Sequence, residues 1–285
     1  MNIKTKSLIK IHIAVLLFGI TGLFGKFITL PAVLITFGRV FFSSSTFLVF
    51  FKVKNIDYKL KSKKDYMFIG ITGIMLALHW SSFFHSIKVS TVAIALLTFA
   101  SYPIFVTFIE PIMFKEKLKK RDVCCAIIMF LGVILIVPSF ELKNNLTVGF
   151  LWGMFASLTW SYISLMNRKI ADQYEGYIVA FYEQGVAALV LLPSLFIIKP
   201  EINFQNVFLL FVLGVIFTGF SHSLVIDGMK VIRAQTTAII SSIETFYGII
   251  FAYILFSEIP SLKELIGGVI IIGTAFYSSN IASKE

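Results

Sequence analysis

Ten long apolar segments fill this chain of 285 residues, and the second half repeats the pattern of the first at an offset of 142 positions. The segments run over 8–28, 32–52, 66–87, 90–114, 122–139, 146–166, 177–198, 204–226, 231–256 and 262–282. Hydrocarbon offers the backbone no hydrogen-bond partner. An apolar run of about 20 residues in a bilayer must therefore satisfy its amides within itself, as a helix. Hydrophobic residues make up 58% of the chain and charged residues 14%, more apolar surface than a water-soluble domain of this size can cover. The ten-residue alternating strands of a membrane barrel do not occur. The expected fold is an all-α membrane protein of ten transmembrane helices, built as two five-helix repeats over residues 1–140 and 146–285.

The net charge of +10 sits in short loops between apolar segments, so the expected partners are the lipid bilayer and a small-molecule substrate, not nucleic acid. Nineteen Lys and Arg lie on one side, in the N-terminal stretch, the loops after segments 2, 4, 6 and 8, and the C-terminal stretch. The opposite side carries five: Lys26, Lys88, Lys143, Lys199 and Lys263. The positive-inside rule then puts both termini in the cytoplasm of a multi-pass protein of the plasma membrane. Five spans per half is odd, so the second repeat must be inverted relative to the first. Inverted repeats exchange conformations around a central site, which is the geometry of alternating access. The stretch from Lys4 to Lys10, followed by apolar residues, resembles a signal sequence. No small-x-small cleavage site follows, and it reads as a retained first helix.

At offset 142, Ala14 meets Ala156, Leu16 meets Leu158, Ile28 meets Ile170, Ser81 meets Ser223 and Lys88 meets Lys230. Phe114-Lys115-Glu116 answers Phe256-Ser257-Glu258 at the end of the fourth segment of each half. The stretch Leu76-Ala77-Leu78-His79-Trp80 with Phe83-Phe84 and Ile87 resembles the third helix of EamA-type members of the drug/metabolite transporter superfamily. Tyr102-Pro103-Ile104-Phe105, then Glu110-Pro111 and Glu116, the Gly38-Arg39 pair, and the Gly-rich fifth and tenth segments fit the same family. The resemblance spans essentially the whole chain. It implies the ten-helix inverted-repeat bundle and transport of a small metabolite, with no preference for which one. Its members export amino acids, take up sugars or carry other solutes.

An ionisable side chain at mid-membrane is costly, so each one is a functional candidate. Glu244 stands in the middle of the ninth segment, and its repeat mate Tyr102 in the middle of the fourth. Both are expected to line a central substrate site, where Pro103 also removes a backbone donor and frees a carbonyl. His79 and Trp80 lie at the centre of the third segment, and Trp80 with Trp160 of the sixth would form an aromatic wall. Glu183 of the seventh segment would bind a substrate amine, take up a coupling proton, or pair with Arg39 of the second. Arg39 would hold a substrate carboxylate or neutralise Glu183, and the charge pair is the favoured expectation. His222 and Asp227 are expected at the membrane interface. Gly19, Gly22 and Gly25, and the GxxxG of Gly149 and Gly153, read as close-packing faces, and a GxxxG face would also support a homodimer.

Several chemistries have no counterpart here. There is no GxxxxGK[ST] loop for ATP, no HExxH, no GxSxG elbow and no spaced cysteine set. Cys124 and Cys125 are adjacent and read as small buried apolar residues. No cofactor, metal or catalytic residue is expected. The expected function is a secondary transporter, an exporter of small polar metabolites such as amino acids or amine-bearing solutes. The alternative is an uptake permease for a sugar or nucleotide-like solute stacked on Trp80, Tyr102 and Trp160.

Overall fold

Helices dominate the described residues, 2–115, 117–137, 141, 143–199 and 203–282, of this computed structural model. The first half holds α1 (Ile3–Phe27), α2 (Ala32–Lys54), α3 (Lys63–Val89), α4 (Val92–Phe99), α5 (Tyr102–Phe114) and α6 (Lys120–Ile136). The second holds α7 (Asn145–Ile170), α8 (Gly176–Leu191), α9 (Pro193–Ile198), α10 (Phe204–Gly214), a π-helical turn (Val215–Phe220), α11 (Ser221–Met229), α12 (Ala234–Ser241), α13 (Ile243–Phe256) and α14 (Leu262–Ala282). Polar side chains start the helices where the sequence supplies them. Ser62 accepts from the Asp65 amide at 3.2 Å, Thr91 from Ile94 at 3.1 Å and Asn203 from Asn206 at 2.8 Å, each satisfying an amide the first turn leaves open.

Eight helical runs among the described residues are long and apolar enough to cross a membrane. The helices α6 and α14 stand in the fifth and tenth expected places and pack along each other. Gly132 and Gly267 allow that approach, since a side chain on either would meet the backbone of the other. The surface is inverted relative to a soluble protein. Ile112, Ile197 and Phe204 are 81%, 79% and 85% exposed, whereas Arg39, Glu183, Gln184 and His222 are 0% exposed. Lipid solvates the first group without penalty, and protein partners must solvate the second.

Two expected spans are broken where the sequence reading kept them continuous. The run 90–114 divides between α4 and α5 at Ala100 (φ −58°, ψ −10°), and the run 231–256 between α12 and α13 at Ser242 (φ −61°, ψ −19°). These two residues are repeat mates. In the first break Pro103 has no N–H to offer the Phe99 carbonyl, which accepts instead from the Ser157 hydroxyl at 3.3 Å. The second has no proline. There the Ser242 hydroxyl donates to the Ala238 carbonyl at 3.2 Å, a back-bond that bends helices. The two runs also end alike, with Lys115 and Ser257 left-handed at φ 55° each. Glu116, the last residue of the first-half motif, lies outside the described residues.

Contacts between the halves come in exchanged pairs. The helix α1 packs on α11 and α13, and its mate α7 packs on their mates α3 and α5. Likewise α2 meets α10 and α3 meets α8, while α2 and α8 meet each other. Gly149 and Gly153 do not form a free face. They sit against Ser86, Ser90 and Thr98 of the same chain, so this GxxxG serves internal packing and not the expected homodimer contact. Of the two adjacent cysteines, Cys125 is buried but Cys124 is exposed, contrary to expectation. Adjacent residues on a helix point about 100° apart, so only one of them faces the bundle.

Candidate functional site

Side chains from six helices converge on one small cavity of about 20 Å³ at the heart of the bundle. Phe18 and Thr21 reach it from α1, Arg39 from α2, His79, Trp80 and Phe83 from α3, Phe99 from the end of α4, Trp160 from α7 and Glu244 from the first turn of α13. Two contacts locate the cavity relative to the repeat. Phe18 touches Trp160 edge-on at 6.2 Å between ring centroids, and Trp80 touches His222 at 5.8 Å. Each pair is a residue and its own mate at offset 142. A residue meets its own mate only close to the axis relating two halves, so the cavity lies where the halves meet.

Five expected site residues, Glu244, Trp80, His79, Trp160 and Arg39, are brought together as lining. Glu244 is 5% exposed and stands in the first turn of α13, where aligned backbone amides favour a carboxylate. The indoles of Trp80 and Trp160 form the expected wall. His79 is fixed beside it, its Nδ1–H donating to the Ala156 carbonyl at 2.8 Å and its ring 4.8 Å from that of Trp160. Tyr102 stands one layer back. It stacks on Phe99 at 5.3 Å and 18°, with its hydroxyl toward Ser241 and Trp160.

The expected Arg39–Glu183 pair is not formed. Glu183 Oε2 meets His222 Nε2 at 2.7 Å and the Asn167 amide at 3.5 Å. Beside them Gln184 accepts from the Ser43 hydroxyl. Arg39 instead sends its Nε to the Thr218 hydroxyl at 2.8 Å, and its guanidinium lies 3.9 Å above the Trp80 ring. It lines the cavity together with Glu244. The reason is rotational. Residues 39 and 183 lie on α2 and α8, which do pack together, but His222 reaches Glu183 from α11. A neighbour on the same face outcompetes a longer reach.

His222 also corrects its expected place at the interface, being wholly buried. The π turn before α11 adds a residue to the helix and turns the following face inward. Its signal was present in the repeat, since the mate of His222 is the mid-membrane Trp80. Thr218, which lies within the π turn, carried no such signal, since its mate is the apolar Leu76. Asp227 does lie at the rim, accepting from the Gly176 amide at 2.8 Å and pairing with Lys10 at 3.0 Å. The acidic residue of the Glu110-Pro111 motif pairs with Arg168.

Comparison with known proteins identifies the family. The sequence profile of the EamA-like transporter family matches twice, over residues 5–137 and 147–280. An uncharacterised transporter of Bacillus subtilis, YxxF, is 26% identical over 94% of this chain and 88% of its own length. An S-adenosylmethionine uptake transporter of Rickettsia felis is 26% identical over 85% of this chain and 81% of its own. The pseudopaline exporter CntI of Pseudomonas aeruginosa is 24% identical over 86% and 84%. A crystal structure superposes with a TM-score of 0.74 over 98% of both chains at 17% identity, which speaks for the fold alone. The chain is a multi-pass membrane transporter, not an enzyme, and belongs to the EamA-like transporter family.

Proposed function

We propose that this protein is a secondary transporter that exports small polar metabolites, amino acids or other amine-bearing solutes, across the plasma membrane by alternating access. The observation that carries this reading is Glu244, a buried carboxylate facing an aromatic-walled cavity between the two repeats. An ammonium group there meets a charge partner in Glu244 and the π faces of Trp80 and Trp160, with Tyr102 holding the wall from behind. In the proposed arrangement α6 and α14 complete ten spans. Residues 1–140 and 146–285 form inverted repeats, and both termini are cytoplasmic. The breaks at Ala100 and Ser242 give each half one place to flex beside the cavity. Glu183 with His222 carries the coupling proton, and His222 touches both Trp80 and Trp160, linking that pair to the cavity wall. The pair shares its surroundings with Arg39, His79 and Glu244.

Solute counterflow in proteoliposomes, with amino acids, polyamines, sugars and nucleosides each with and without a pH gradient, tests this. Exchange of an amine-bearing solute is expected, and Glu244→Gln should lower its rate by about a hundredfold, the usual consequence of removing a buried charge partner. Wild-type exchange by Glu244→Gln would remove that carboxylate from the mechanism. A second reading, uptake of a nucleotide-like solute, is favoured by the two indoles and by the Rickettsia felis relative named for S-adenosylmethionine uptake. Exchange restricted to nucleosides or sugars would select it and overturn the amine site.

A further inference from the structure

We infer that Arg39 is a carboxylate-binding residue, so that the transported solute is a zwitterion held between Arg39 and Glu244. This rests on the amine reading of Glu244 and adds a second charged group to the solute.

Arg39 is 0% exposed, and three contacts fix its guanidinium. Its Nε donates to the Thr218 hydroxyl at 2.8 Å, and that hydroxyl in turn donates to the Leu213 carbonyl at 2.7 Å. The face of the guanidinium lies on Trp80, with its carbon 3.9 Å from the ring centroid, and Phe84 stands 5.3 Å away. What remains is the outer fork. Nη1 and Nη2 are both fully buried and have no hydrogen-bond partner in the protein. Buried guanidinium donors are normally satisfied, and a planar pair of N–H groups matches the two oxygens of a carboxylate.

Glu244 lines the same cavity yet does not take that fork, since neither Nη atom bonds to it. The other titratable groups nearby each hold one protein partner, although Glu183 Oε1 and His222 Nδ1 are also buried without one. His79 is bonded to Ala156, and Glu183 to His222. A cation and an anion thus face one small cavity without closing on each other. A solute with a carboxylate and an ammonium separated by a short carbon link completes both. A simple amine completes only Glu244, and a simple anion only Arg39.

The test is counterflow with the full-length protein and matched trios: L-leucine, isopentylamine and L-leucinamide; L-phenylalanine, phenethylamine and L-phenylalaninamide; L-lysine, cadaverine and L-lysinamide. Wild type should exchange the amino acid at least ~10-fold faster than its amine or amide in one trio, since a site built for a polar group rejects the analogue lacking it. In Arg39→Gln that ratio should fall to near one while amine exchange persists, and Arg39→Lys should restore part of it. Equal exchange of all three members by wild type overturns the carboxylate site and leaves the amine reading standing. Retained preference in a folded Arg39→Gln also overturns it. Exchange of none of them overturns the amine reading and this inference together. Should Arg39→Gln not fold, the wild-type ratio and Arg39→Lys decide.

Discussion

Arg39, Glu183 and His222 show how one buried charge selects another. The sequence offers Arg39 and Glu183 as opposite charges in neighbouring spans, yet Glu183 bonds to His222 at 2.7 Å and Arg39 to Thr218. Both members of the Glu183–His222 pair are buried, and removing one partner leaves the other uncompensated in a medium that solvates it poorly. We expect His222→Ala to cost about 3 kcal/mol. The double variant Glu183→Gln with His222→Phe should recover part of that loss. Thermal unfolding of the purified protein in detergent measures both. If the double variant is no more stable than His222→Ala, the pair is not what holds these helices.

Helices in lipid are held by close approach and by polar contacts, because hydrocarbon gives no hydrophobic drive for one helix to meet another. The contact of α1 with α13 is the clearest case. Gly19 and Gly248 face one another, so that a Cβ on Gly19 would lie 3.0 Å from the Glu244 carbonyl and one on Gly248 3.0 Å from the Gly19 carbonyl. This contact seats Glu244 against the cavity. Gly248→Val should destabilise the protein by about 1–3 kcal/mol, the cost of overpacking, and should lower transport by displacing Glu244. Gly273→Ala is the control, since nothing lies within 4 Å of a Cβ there. Equal melting temperatures for the two variants would show that α1 and α13 tolerate separation.

At the scale of the whole molecule, the exchange of contacts between halves is the property that matters. Phe18–Trp160 and Trp80–His222 are self-mated contacts at the cavity. A site on that axis is equally reachable from either half, as alternating access requires. The proposed inverted arrangement predicts opposite sides for two loops that the repeat makes comparable. In a chain with Cys124 and Cys125 replaced by Ser, Lys199→Cys should react with an impermeant thiol reagent in intact cells. Lys59→Cys should react only after the membrane is opened. Labelling of both from outside would end the inverted reading and the cytoplasmic placement of the termini.

The sequence alone determines that this chain is helical and lives in a bilayer, because lipid leaves the backbone no other way to bond. It also determines the family and the half-length repeat, whose offset reappears in the matched breaks at Ala100 and Ser242 and the matched caps at Lys115 and Ser257. These are properties of runs of residues, readable one segment at a time. It further nominates Glu244, Trp80, His79, Trp160 and Arg39, since polar and indole groups are conspicuous in apolar runs. Only the tertiary structure decides which of these meet. The rotation of each helix about its own axis, reset at α11 by the π turn, buries His222, gives it to Glu183, and leaves the fork of Arg39 open beside Glu244. Partners 39 to 179 positions apart are chosen by packing, and no local pattern encodes that choice.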